Sequence, residues 1–213
     1  PIPIEIDGLG INYDVISEFN VSTILFDIKS DNLTQRVLEL LQDSQILLFL
    51  RSKEVILEVF ISGKLILSIK KFILEDTVGL FNDNNLKSEW IVSSKNISIP
   101  EDVIDDISKD EKTPPKLKGA NTCEISFAVQ KEKKKLVSTE EALIYAYLPT
   151  SISCGLPFVV NSNFITDASR QQLQKESKWN LWLFNQMAYS YFEWVAELAK
   201  AGKLDKSFLT IIP

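Results

Sequence analysis

The chain has 213 residues, 45% of them apolar, and carries a formal net charge of −6 with no histidine. That length and apolarity support one sizeable globular domain, or one domain with an appendage, and the acidic balance argues against a protein built mainly to grip a nucleic-acid backbone. Without histidine, Ser–His–Asp and Cys–His nucleophile systems and HExxH zinc sites are excluded, so a complete enzyme would have to work with carboxylates, lysine or arginine.

The opening "PIPIEIDG" has neither the basic nor the apolar region of a signal peptide. The chain begins at Pro1 and its sole methionine is Met187, which sets the expectation of a piece cut from a longer protein. "DGLG" at Asp7–Gly10 reads as a turn, because its spacing is that of no phosphate loop. Residues 22–29, "STILFDIK", alternate apolar and polar as a strand does. A helix follows, with Leu33, Val37, Leu40 and Leu41 at helical spacing behind Asp31 or Asn32 as cap. "EVILEVFISGKLILSIKKFIL" (54–74) places two β-rich runs either side of Ser62-Gly63 and predicts a hairpin. The apolar runs at 46–50 and 65–69 are far too short to cross a bilayer, and a cytoplasmic protein is expected.

Another strand is predicted in 88–99. Composition then shifts: 100–121 is polar, holds Pro114-Pro115 and reads as a short acidic helix running into a surface linker, an insertion within one domain. Strands resume at 122–130, and "KEKKK" (131–135) is a solvated hairpin tip or, alternatively, a phosphate-contacting patch. "ALIYAYLPT" (142–150) and "LPFVV" (156–160) read as two strands joined by "SISCG". A long amphipathic helix over 177–203 would be closed by Gly202, with Leu181, Phe184, Met187, Ala188, Tyr191, Val195 and Leu198 as its apolar stripe. Its tryptophans, Trp179, Trp182 and Trp194, go round more of the helix than one stripe needs; they are core, or an exposed pair for contact with another domain or a client. Cys123 and Cys154 lack metal or CxxC spacing and read as buried reduced thiols. Strands mixed with helices and hairpins indicate an α+β fold with a mixed or antiparallel sheet.

"TDASRQQLQ" (166–174) carries the chemistry of most interest. Ser169 and Gln172 stand three apart as in a capping box, which puts the expected helix start at Ser169 and Arg170 at its first position. Gln174 then lies one turn on, on the same face. A cation there opposes the helix dipole, unless it completes an anion site with the free N–H groups. A surface pair of Arg170 with Asp167 or Glu176 is the alternative. Only Arg36, Arg51 and Arg170 are arginines in a lysine-rich chain, so each is expected to be there for geometry.

The stretch "YAYLPTSISCGLPFVVNSNFITDASRQQLQKESKWNLWLF" resembles the middle segment of sacsin-like ATPases, in the GHKL group with heat-shock protein 90, gyrase and MutL. Residues 22–52 look like that family's junction between nucleotide-binding and middle domains, and the two stretches cover about a third of the chain. The match centres on Leu156-Pro157-Phe158, Asn161 and Ser169-Arg170, with Leu173 and Gln174 completing the catalytic-loop pattern. The resemblance implies residues 1–30 as the end of a preceding nucleotide-binding domain or a linker strand, and 31–213 as a middle, transducer-like domain. It implies that Arg170 reaches ATP, held with Mg by the neighbouring domain, and that Ser169 and Gln174 share this contact or hold the loop. Asp167 departs from the asparagine of the chaperone family, and the nucleotide-domain signatures are missing from this sequence. The fragment alone is therefore not expected to hydrolyse ATP. Chaperone-like remodelling of protein clients, in a parent that is open to dimerisation, is the family expectation. A scaffold without catalytic role, or a module of a DNA-linked or phage-defence ATPase, remains open, with nucleic acid an unexpected partner for this acidic segment.

Overall fold

The computed structural model describes residues 31–42, 44–111, 113–200 and 206–212. The strand expected at 22–29, the Asp7–Gly10 turn, Gly202, and the side chains of Asp31, Asn32, Leu33, Val37 and Leu40 lie outside what is described. The described part opens with helix α1 (Asp31–Gln42) and a 3-10 turn (Ser44–Leu47). An antiparallel meander follows: β1 (Val55–Ile61), β2 (Lys64–Leu74), β3 (Thr77–Asn82) and β4 (Asn85–Ser98). Then come α2 (Glu101–Lys109), a helical turn α3 (Pro115–Lys118), β5 (Thr122–Glu132), β6 (Lys135–Val137), β7 (Leu143–Ala146), β8 (Leu148–Ser153) and β9 (Val159–Ser162). Helix α4 (Lys178–Lys200) and a 3-10 helix (Lys206–Ile211) close the chain.

The nine described strands join one mixed sheet in the order β1-β2-β3-β4-β5-β9-β7-β8, with β6 beside β5 and β7–β9 as the parallel pair among them. The fold is α+β, as the sequence pattern indicated. The expected hairpin at Ser62-Gly63 is present, both residues at positive φ as a two-residue turn demands. "KEKKK" is a hairpin tip, with Lys133 and Lys134 exposed at the turn between β5 and β6. The sequence reading named no strand at 77–82. The turns at Glu75-Asp76 and Asp83-Asn84 that isolate β3 lack glycine, and Glu75 and Asp83 each adopt a positive φ that side chains seldom take.

The sheet is buried on both faces at its centre, where residues 125–129 of β5 are all buried, Ser126 included. One face carries α2, α4 and the closing 3-10 helix over Ile91, Ile125, Phe127, Phe158, Val160 and Leu183. Residues 47–50 cover the other face, over Ile69, Leu80, Trp90, Tyr145 and Val159. The segment 100–121 is no free surface linker: Ile107 is fully buried, Val103, Ile104 and Leu117 pack on the same core, and Lys178 of α4 pairs with Asp106 at 2.8 Å.

Two further expectations are corrected. "ALIYAYLPT" is not one strand but β7 and β8 folded back on each other at Tyr147, whose φ is +65°. The apolar stripe of α4 is also rotated. Its buried side is Trp179, Asn180, Leu183, Met187, Ser190, Trp194 and Leu198, while Leu181, Phe184 and Ala188 face solvent. Two apolar stripes compete on this helix, and the broad rings win the core: Trp194 stacks on Phe127 at 5.1 Å, and Trp179 is fully buried. Among the described residues no helix is long and apolar enough to cross a membrane.

Lys71 of β2 is buried with its ammonium on the carbonyl of Leu50, and burial lowers its pKa below the ordinary lysine value. The folded chain therefore sheds this proton more readily than the unfolded one, so stability should rise as pH climbs through the lowered value towards the ordinary one. Lys71→Met is expected to be at least as stable as the parent at neutral pH, and thermal melts should show it without that alkaline rise.

Candidate functional site

The candidate site is the connection from β9 to α4. Strand β9 runs antiparallel to β5, with Ser162 opposite Ile125, so the chain leaves the sheet where β5 begins. Phe164 and Ile165 turn into the core, and Thr166 pairs with Leu173 as an isolated antiparallel bridge, which closes residues 167–172 into a tight loop. No helix starts at Ser169, where one was expected; the long helix expected from 177 starts at Lys178, behind Ser177, whose hydroxyl accepts the Asn180 N–H at 3.4 Å. Ser169 and Gln172 form no capping box.

Asp167 explains the difference. Its carboxylate accepts the Ser169 hydroxyl at 2.8 Å and the N–H groups of Gln171 at 3.1 Å and Gln172 at 3.3 Å. Its own N–H donates to the Gln172 carbonyl at 2.8 Å, and Arg170 N–H returns to the Asp167 carbonyl at 3.0 Å. Donors that a nascent helix would leave free are gathered by this one side chain, which favours a loop over a helix here. The same bonds, the Ser169 hydroxyl foremost, hold the Asp167 carboxyl below the usual aspartate range.

Arg170 sits at the apex of this loop, exposed, with φ at +61°. Among the described residues its guanidinium forms no ion pair and no hydrogen bond: Asp167 is committed to the loop, and the ion pairs involve Lys95, Lys131 and Lys178. The expected surface pair with Asp167 or Glu176 is absent. Gln174 does not share a helical face with Arg170; it lies at the loop's base, half-buried, its amide donating to the Thr166 carbonyl at 3.2 Å. Ser169 faces Asp167. Arg170 is thus the group presented outward, with Ser169 and Gln174 bonded within the loop.

Asn180 was missed in the sequence. It is fully buried in the first turn of α4, where its amide oxygen accepts Ile165 N–H at 2.9 Å and its nitrogen donates to the carbonyls of Ile165 at 2.8 Å and Gln174 at 3.0 Å. Both ends of the loop are thereby tied to the helix. The available signal was a polar residue placed among the apolar positions of "KWNLWL". The loop also leans on β8, where Ser151 N–H donates to the Gln171 carbonyl at 2.9 Å.

On the opposite face of the sheet from α4, a cleft of about 380 Å³ is lined by Phe49, Arg51, Lys71, Thr77, Glu124 and Ser126, among others. It mixes both signs of charge and favours no ligand class. Cys123 is buried and Cys154 half-buried, both free, and burial raises both thiols, which makes them poor nucleophiles at neutral pH. No group of three or more Cys, Asp or Glu among the described residues is placed to hold a metal. Neither family models, curated proteins nor solved structures gave a match to this chain.

Asn180→Ala should cost about 2–3 kcal/mol, since it strands the buried Ile165 N–H, and denaturant melts will read this directly. Because the folded pKa of Asp167 is lowered, its contribution is present above the ordinary aspartate range and lost as pH falls through the lowered value. Acid titration followed by NMR should therefore release the amides of Gln171 and Gln172 before those of the core strands. In Asp167→Ala they are expected to be unprotected at neutral pH.

Proposed function

We propose that this chain is a middle, transducer-type module of an ATPase related to sacsin and heat-shock protein 90, whose Arg170 is offered to the phosphates of ATP bound in a neighbouring domain. The observation that carries the reading is the state of Arg170, an exposed guanidinium, unpartnered among the described residues, at the apex of a loop braced from below. A cation held this way and spared a local carboxylate suits a finger: it neutralises charge developing on phosphoryl oxygens without first breaking an ion pair. Asp167, the departure from the chaperone pattern, is compatible, because its charge is absorbed by the loop's own donors.

The residues here fit one contact to such a nucleotide and not the whole of its binding. ATP and its Mg would be held by the adjoining domain, and ATP supplies the phosphoryl group when bound there. Within this chain Arg170 is the contacting residue. Ser169 and Gln174 hold it in place, a narrower role than contact for Gln174, whose amide is engaged at Thr166. Movement of α4, to which the loop is tied, would then follow nucleotide state, which is how such a module couples hydrolysis to conformational change and chaperone-like work.

A second reading, an interaction scaffold, has its own observation. Tyr189 and Phe192, 70% and 69% exposed, stand with Leu181 on the outward side of α4, a large apolar presentation for a surface helix.

The test is ATP turnover by this chain joined to its nucleotide-binding domain. Arg170→Ala should lower the rate at least ~10²-fold, as loss of other arginine fingers does, with the melting temperature unchanged. Turnover equal to the parent's would sink the catalytic reading in favour of the scaffold.

A further inference from the structure

We infer that Tyr147 is a positioning residue for the Arg170 loop, and that Arg51 is the point through which the chain segment 44–51 acts on it. As a statement about regulation this rests on the reading of Arg170 as a phosphate-contacting group; as a statement about loop geometry it stands alone. Six non-glycine residues among those described have positive φ. Ser62, Glu75, Asp83 and Lys133 each open a two-residue hairpin turn, where the twist of the strands favours that conformation. The other two are Tyr147 and Arg170. A bulky aromatic persists there only when its surroundings over-determine it, and such residues gather at switch and ligand-clamping points.

The surroundings of Tyr147 do over-determine it. Its N–H donates to the side-chain oxygen of the buried Asn161 at 2.7 Å. Its hydroxyl donates to the side-chain oxygen of Asn163 at 2.8 Å and accepts from the Arg51 guanidinium at 3.1 Å. Backbone and ring of one residue thus grip β9 at two points as it leaves the sheet. The grip passes on without a gap. The Asn163 carbonyl accepts the indole N–H of buried Trp179 at 2.7 Å, and the next residue of α4 is Asn180, which holds both ends of the loop.

At the other end Arg51 is not a loose surface cation. It follows Leu47, Leu48 and Phe49, which are buried on the sheet, with Phe49 edge-on to Tyr145 at 5.0 Å. The Leu50 carbonyl is held by Lys71. A shift of this segment along the sheet therefore carries Arg51 with it and changes the pull on Tyr147 and on the strand that feeds the loop. The cleft beside Arg51 gives the segment room to shift.

Hydrogen exchange on the 213-residue chain, resolved by residue, tests the coupling. The amides read are those of Asp167 and Gln174, bonded to the carbonyls of Gln172 and Ile165. Tyr147→Phe removes only the hydroxyl, and should raise exchange at these amides about five- to tenfold, the worth of one such hydrogen bond. Amides of β4 and β5 should not change. Arg51→Met should act in the same direction and by less. Unchanged loop amides in both variants, or a uniform rise across loop and sheet, would overturn the inference, the second outcome marking Tyr147 as a contributor to global stability alone.

Turnover in the protein joined to its nucleotide-binding domain separates the two claims. Tyr147→Phe should lower kcat with KM unchanged. If loop exchange rises as expected while Tyr147→Phe and Arg170→Ala both turn over at the parent rate, the positioning of the loop stands and the phosphate-contact reading of Arg170 fails.

Discussion

One buried amide holds the candidate site together. Asn180 sits fully buried at the start of α4, and it meets the backbone of Ile165 on one side and of Gln174 on the other. Removing one partner from such a bond leaves a buried polar group stranded, so the arrangement is held by the cost of its alternatives more than by the strength of each bond. Everything between these two residues is thereby committed to a closed loop. The geometry of Arg170 follows from where that loop is pinned.

Within the loop the charges are divided between two tasks. Asp167 turns inward in an electrostatic sense, its oxygens used by Ser169 and by backbone N–H groups, and this leaves Arg170 without a neutralising neighbour. An exposed pair between them would have been worth little and would have masked the guanidinium. The aromatic face of the sheet contributes rigidity: Phe127, Phe158, Tyr191 and Trp194 stack or meet edge-on, so α4 has little freedom to slide without carrying the loop. The polar chain through Arg51, Tyr147 and Asn163 reaches the same loop from the other face of the sheet.

Much of the fold was legible from periodicity and turn residues. Ser62-Gly63 marked its hairpin because glycine frees the turn, and 122–130 was legible as a strand because Cys123, Ile125, Phe127 and Val129 alternate with mostly polar residues. The strand β3 was not, since its turns use Glu75 and Asp83 at positive φ, which local sequence rarely signals. The site was half legible. Arginine rarity and the Ser-Arg pattern drew attention to Arg170, while Asn180 and Tyr147 act through partners 6 to 96 residues away, which no spacing rule connects. The capping-box reading of Ser169 and Gln172 failed because Asp167 competes for the same donors, and spacing alone does not rank the competitors.

The sequence by itself determined the α+β class, the hairpin at Ser62-Gly63, and an aromatic-rich helix over 177–203 preceded by an arginine. These are consequences of residue type and short-range order, where period and turn chemistry act directly. Only the tertiary structure decided that no helix forms at Ser169, which of the two apolar stripes of α4 enters the core, and that Arg170 pairs with none of the described residues while Gln174 and Ser169 turn to the loop. Those outcomes depend on which distant groups share a buried volume. The broad rings of Trp179 and Trp194 fill it best and fix the helix rotation. That rotation places Asn180 inside, and Asn180 holds the loop that lifts Arg170 into solvent.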